Sequence, residues 1–288
     1  MRRNAIIKKA VLAVLLILVT SAFFCSLGSA LERGLLEDIK QTRPGNLPHP
    51  VPSTRLPGLT EDKAYALQRM LTEELVQGGM PIRGWKAGLT TEQSQKRFGA
   101  KSPVLGPLFK PGELGPDCVV DSSVYHRLII EMEIGYIAGE KIDKPVPDVG
   151  SMKKLIKDVC PAVELPDIRF AEMKGITEAD LIVLIAVAVS SAKYMPGKGV
   201  PVGSVDLSKV KVVLTQDGFT VNEGRSQDAM GDQWNALLWL VNSAISRGYV
   251  IEPGHLMITG AVGHIVPGKP GHYEGTWTGL GTISWTIK

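Results

Sequence analysis

Leu128-Ile129-Ile130-Glu131-Met132-Glu133-Ile134-Gly135-Tyr136-Ile137 is an apolar run broken by two carboxylates two residues apart. A strand alternates its side chains between faces, so Glu131 and Glu133 share one face and Ile130, Met132, Ile134 and Tyr136 take the other. Like charges at neighbouring same-face positions repel. Burying either one is costly unless it is paired or bound to a metal. A third carboxylate follows in Cys160-Pro161-Ala162-Val163-Glu164-Leu165-Pro166. Three carboxylates are a hard, all-oxygen donor set, suited to Mg²⁺ or Mn²⁺ rather than Zn²⁺. The strand read by itself leaves a second option open, an antiparallel sheet with one wet face and two solvated glutamates.

Outward from this strand, the chain from about Val104 is rich in short apolar runs punctuated by Gly and Pro: 118–124, 128–138, 211–216, 218–221, 255–260 and 281–287. Asp217-Gly218 between two of them is a hairpin signal. Helices are expected after Thr60, with Tyr65, Leu67, Met70, Leu71 and Leu75 on the buried face and Gly78-Gly79 as the stop. A shorter one is expected from Thr90 to Phe98-Gly99, and others over 151–159 and 232–246. Strands and helices do not alternate strictly, which excludes a doubly wound parallel sheet. The expectation is an α+β fold: a mixed, rolled β core over 101–288 with a small helical cap over 59–100. Residues 31–58, with Pro44, Pro48, Pro50, Pro52 and Pro57, read as a Pro-rich linker.

The first thirty residues carry a different signal. Arg2, Arg3, Lys8 and Lys9 precede the apolar stretch Ala10 to Phe24, and Gly28-Ser29-Ala30 offers small residues for cleavage. This reads as a secretory signal peptide over 1–30, with an uncleaved N-terminal anchor as the rival. The protein is then expected in the periplasm or secreted, with no membrane partner after cleavage. The whole chain holds 32 basic and 29 acidic side chains, net +3. Four of the basic groups sit in the leader, so the remainder is one unit negative. No basic patch remains, and a nucleic-acid partner is not expected. Cys118 and Cys160 are the two cysteines beyond the leader. An exported chain could join them in a disulfide or keep them as separate buried thiols.

Several segments, in order, resemble the 2-keto-4-pentenoate hydratase and 4-oxalocrotonate decarboxylase branch of the fumarylacetoacetate hydrolase superfamily. Ala64-Tyr65-Ala66-Leu67-Gln68 is similar to its N-terminal helix, Gly84-Trp85-Lys86-Ala87-Gly88-Leu89-Thr90 to its GxKxGLT segment, and Pro103 to Phe109 to its PxxGxLF turn. Glu131-Met132-Glu133 is similar to the ExE strand, Pro161-Ala162-Val163-Glu164 to PAxE, and Met230-Gly231-Asp232, Ile258-Thr259-Gly260-Ala261 and Gly279 to Ile283 to later motifs. The resemblance implies that Glu131, Glu133 and Glu164 hold one Mg²⁺ or Mn²⁺. It implies a small-molecule 2-oxo acid as ligand, with Lys86, Ser190 and Thr259 binding it, and a homo-oligomer. The implied activity is a hydratase, or decarboxylase, of a small unsaturated 2-oxo or 2-hydroxydienoic acid. Alternatives are an acylpyruvate-type C–C hydrolase, for which an aspartate in place of Glu164 is usual, and a non-catalytic 2-oxo acid binder.

The chain departs from the family pattern where acids flank the PxxGxLF turn, having Lys101 and Val104 there. It also has Ala186-Val187-Ala188-Val189-Ser190 in place of a segment with an Asp-Asn pair. With those acids replaced, His264, in Gly260-Ala261-Val262-Gly263-His264, is the candidate acid/base beside Lys86. The alternative reading of His264 is a surface-loop histidine. Tyr273, Trp277 and Trp285 read as core or subunit contacts.

Overall fold

The computed structural model describes residues 33–34, 36–41, 47, 59–169 and 178–288. The expected signal peptide and most of the Pro-rich segment lie outside these residues. Residues 36–41 are helical, and Leu36 and Ile39 are buried in the main core, so this part of the expected linker is packed. Lys40 reaches Glu74 at 2.7 Å. Among the described residues, no helix is long and apolar enough to cross a membrane.

Helix α1 (Glu61–Gln77) is capped by the Thr60 side chain and stops at Gly78. It buries Ala64, Tyr65, Leu67, Gln68 and Leu71 and lies along α4, defined below. Strand β1 (Ile82–Gly88) follows, then the short α2 (Glu92–Phe98), capped by Thr91, and β2 (Val104–Phe109). The long strands β4 (Ile129–Ala138) and β5 (Ile156–Leu165) flank α3 (Val149–Leu155). The expected helix over 151–159 therefore ends at Leu155. Ile156 and Val159 are buried from a strand instead, one that is buried continuously from Val159 to Leu165 because it lies between β4 and β6 (Lys193–Pro196) inside the sheet.

After β5 come α4 (Glu178–Ala186), β6 (Lys193–Pro196) and β7 (Val200–Pro201). The chain then runs through β8 (Lys211–Gln216), β9 (Phe219–Arg225), α5 (Gln233–Ser246), β10 (Leu256–Ile258), β11 (Val266–Pro267), β12 (Gly271–Trp277) and β13 (Gly281–Ile287). An eight-stranded mixed sheet has the order β2-β1-β10-β4-β5-β6, with β11 also on β4 and β7 also on β5. Five further strands form a second sheet, β3-β13-β12-β8-β9, where β3 is Val119–Val120. This is the expected α+β architecture.

The boundary drawn at residue 100 is not a structural one. β1 sits between β2 and β10 inside the main sheet, so residues 59–100 supply a central strand and do not form a separate cap. Pairing with β10, about 170 residues away, made that strand invisible locally. At the Asp217-Gly218 turn both residues have positive φ (51° and 85°), as a tight two-residue hairpin requires.

The two faces of β4 have different jobs. Met132 meets the second sheet where Gly275 leaves room for its Cε, and Tyr136 packs edge-on against Trp234 of α5, ring centroids 5.2 Å apart. Tyr273 and Trp285 stack at 5.4 Å, and Trp277 is buried with them, so these aromatics are core. The opposite face of β4 carries the carboxylates over a small apolar floor of Cys160, Ala162, Ile258, Leu256, Leu108 and Tyr194. Both cysteines are free thiols. Cys160 is buried in this floor, and Cys118 lies 3.6 Å from the Met195 sulfur.

Candidate metal centre and substrate cleft

Antiparallel pairing of β4 with β5 sets Glu131 directly opposite Glu164 and Glu133 opposite Ala162. One oxygen from each of Glu131, Glu133 and Glu164 lies within 4.8 Å of the other two. Glu133 and Glu164 are fully buried and Glu131 is half-buried, facing the cleft. The wet-face alternative is thereby removed for Glu133.

Lys86 lies on β1, in the same lateral row as Ile258 and Gly135, and so projects from the carboxylate face. Its ammonium is buried and donates to Glu164 Oε1 and to the Val189 carbonyl at 2.9 Å. The Gly260 N–H donates to Glu133 Oε2 at 2.6 Å. Gly260 adopts φ +104°, and a Cβ there would collide with Thr90, so a glycine is needed for the close approach. The Trp277 indole N–H donates to the Glu133 main-chain carbonyl at 2.8 Å, fixing the strand from below.

Burial raises the Glu133 carboxyl well above the usual range, and Glu164 and Glu131 push it further, against Lys86 and the Gly260 amide. Burial likewise pushes Glu164 up to about 8, with Lys86 pulling down and Glu131 pushing up. Burial by itself would lower Lys86, but the three carboxylates outweigh it and hold the ammonium above its ordinary value. One lysine thus faces three acids. Glu133 Oε1 and Glu164 Oε2 are buried with no hydrogen-bond partner. Orphaned carboxylate oxygens beside a third acid are what a divalent cation satisfies, and the residues present fit one.

These groups stand at a cleft of about 440 Å³. Lys86 and Glu131 line it together with Leu89, Phe98, Leu184 and Val189, and His264 and Arg97 line it too. The His264 ring Nε2 lies 3.1 Å from the Val221 carbonyl, an acceptor, so that nitrogen carries the hydrogen of this contact. The structure therefore brings together Glu131, Glu133, Glu164, Lys86 and His264. It does not bring in the other two expected substrate ligands. The Thr259 hydroxyl points away, to Gln233 Oε1 at 2.6 Å, because its neighbour Ile258 holds the site face. Ser190 lines a separate depression with Asp167 and Arg169, behind the wall that Val189 presents to the cleft.

The sequence reading missed three contributors. The Gly260 amide and the Val189 carbonyl are main-chain groups with no residue-type signal. Arg97 sits on a polar helix face with Gln93 and Ser94, which reads as solvated.

No protein-family model matches the chain. It is 29% identical over 230 residues to the 2-keto-4-pentenoate hydratase of Paraburkholderia xenovorans (strain LB400), covering 79% of this chain and 84% of that protein. It is 28% identical over 230 residues to a 4-oxalocrotonate decarboxylase of Pseudomonas putida, covering 79% and 86%. Among solved structures, 4-oxalocrotonate decarboxylase from Pseudomonas putida G7, complexed with magnesium and adipate, superposes with a TM-score of 0.83 at 25% identity. That match covers 90% of this chain and 98% of the other. A fumarylacetoacetate hydrolase from Exiguobacterium antarcticum shares the fold, with a TM-score of 0.55 at 15% identity over 73% of this chain and 76% of that one.

The mixed rolled core is an α+β fold of the fumarylacetoacetate hydrolase type, and three carboxylates of this chain converge on its open face. Within that fold, the chain is similar in sequence and structure to the 2-keto-4-pentenoate hydratases and 4-oxalocrotonate decarboxylases.

Proposed function

We propose that the protein is a hydratase, or decarboxylase, of a small unsaturated 2-oxo or 2-hydroxydienoic acid, dependent on Mg²⁺ or Mn²⁺ held by Glu131, Glu133 and Glu164. The observation that carries this reading is the convergence of three carboxylates, two of them buried with an orphaned oxygen, beside a buried lysine in a cleft of substrate size. The names of the relatives support the reaction class. A bound divalent cation would supply electrostatic stabilisation of negative charge developing on the oxygens of the 2-oxo acid.

The chain's own residues do the rest. Lys86 holds an anionic group of the substrate, its charge secured by the surrounding acids. Leu89, Leu184 and Val189 give the carbon chain an apolar wall and keep water from that side. Adding water across a C=C bond requires a proton delivered to the neighbouring carbon, and His264 is assigned to carry it at Nδ1. The protein acts as a homo-oligomer outside the cytoplasm. The support for export is the basic start, the apolar stretch Ala10 to Phe24 and Gly28-Ser29-Ala30.

One observation favours a second reading, a 2-oxo acid binder without turnover. Where the family carries an Asp-Asn pair, the chain turns in hydrocarbon, and Val189 lines the cleft. Purified protein with Mg²⁺ or Mn²⁺, assayed against unsaturated 2-oxo acids and acylpyruvates with binding measured in parallel, separates the readings. Metal-dependent consumption of a 2-hydroxydienoate supports the first. Tight binding with no turnover supports the second, and cleavage of acylpyruvates would replace both.

A further inference from the structure

Helix α4 ends in an unusual way. Ala188, Val189 and Ser190 all have positive φ (62°, 54° and 57°), three successive non-glycine residues in the left-handed region. A helix that only needs to stop uses one left-handed residue, usually glycine. A β-branched valine there is an outlier, and such strain persists where the surroundings over-determine it. Those surroundings are visible. The turn is bonded back to α4 by Val189 N–H to the Leu184 carbonyl at 2.8 Å, and Gln68 ties the Ile185 carbonyl to that of Leu105, both at 2.8 Å. The Asp167 N–H donates to the Ser190 carbonyl at 3.2 Å. Two glycines make room. A Cβ on Gly88 would stand 2.7 Å from Val189 Cγ1, and one on Gly106 would stand 2.7 Å from the Ala188 carbonyl oxygen.

We propose that this left-handed turn is a positioning element for Lys86. It aims the Val189 carbonyl at the ammonium, 2.9 Å away, while Glu164 Oε1 takes a second N–H. The third N–H is left for an anionic group in the cleft that Lys86 lines. Glycine at 189 would make the turn without strain, but it would remove the side chain that packs against Gly88 and walls the cleft. Val189 is thus a positioning residue acting through Lys86. The proposal rests on Lys86 having the role given above, and its test has an arm that needs no turnover.

The test is a compensating pair read on the lysine itself. In ¹⁵N-lysine-labelled protein, a buried and doubly bonded ammonium gives a slowly exchanging Nζ signal, assigned by its absence in Lys86→Met. Gly88→Ala pushes the Val189 side chain, and with it the carbonyl, away from Lys86. The expected result is loss of the Nζ signal and at least a ~10-fold fall in kcat where turnover is measured. Val189→Ala added to Gly88→Ala removes the colliding methyl and is expected to restore the Nζ signal. A Gly88→Ala protein that keeps the signal, or a folded double variant that fails to regain it, overturns the proposal. Should Gly88→Ala not fold, the Val189 ¹³C carbonyl shift in Lys86→Met decides. It is expected to move upfield on losing a charge-assisted hydrogen bond, and an unmoved shift overturns the proposal. A parent without turnover but with these spectroscopic results removes the hydratase reading and leaves the positioning intact.

Discussion

Glu131 and Glu164 stand directly opposite each other across the β4–β5 ladder. Like charges at paired positions destabilise a sheet, and here a third carboxylate, Glu133, sits one pleat along on the same face. Lys86 neutralises part of this cluster, and the divalent cation proposed above would neutralise the remainder. The pair is a local cost that metal binding would convert into affinity.

Mg²⁺ at about 100 times its dissociation constant should therefore stabilise the protein by about 3 kcal/mol, raising Tm by roughly 5–10 °C. Glu133→Ala should lower Mg²⁺ affinity by at least ~10²-fold, at or beyond the ~10–100-fold typical of losing a supporting group. Calorimetric titration of the variant checks this, and unchanged affinity would remove Glu133 from the ligand set.

Without metal, stability should fall as pH rises from 6 to 8. Glu164 has a folded-state value near 8, above its unfolded value of 4.5. A raised group contributes stability that is present below the unfolded value and lost as pH rises through the folded one. Glu133 shifts in the same direction, and Lys86, raised above 10.5, stays charged throughout this window. Thermal melts in EDTA should show the decline, and melts with saturating Mg²⁺ should not. Mg²⁺ binding at pH 7 should also release protons, seen as a buffer-dependent binding enthalpy.

Gly260→Ala should weaken metal binding and the fold together. The added Cβ meets Thr90 and strains a backbone at φ +104°. The amide that holds Glu133 Oε2 moves with it. The expected cost is about 2 kcal/mol or more of stability, checked by urea unfolding without metal. A variant as stable as the parent would show that the close approach is slack.

If turnover is found, His264→Ala should lower kcat by at least ~10²-fold with Mg²⁺ affinity intact. Activity within a few-fold of the parent would eliminate this histidine as the proton carrier. Its fixed Nε2–H then becomes a loop contact with Val221 and nothing more.

N-terminal sequencing of protein recovered from expressing cells should begin at or near Leu31. Full-length chain in the cytosol would refute export.

Local chemistry made much of this protein readable from its sequence. Thr60 and Gly78 bracket α1, Asp217-Gly218 turns a hairpin, and alternation along 129–138 puts Glu131 and Glu133 on one face. These features follow from neighbours within a few residues, where backbone geometry is decided. Pairing and register come from segments distant in sequence, and only the tertiary structure sets them. It placed Glu164 opposite Glu131, threaded β1 between β2 and β10 so that Lys86 reached the acids, and turned Thr259 away to Gln233. It also diverted Ser190 behind a left-handed turn that its residue types disfavour. A one-residue change of register moves every side chain to the other face. The identities of Ser190 and Thr259 therefore could not say which side of the wall they occupy, whereas long-range packing could.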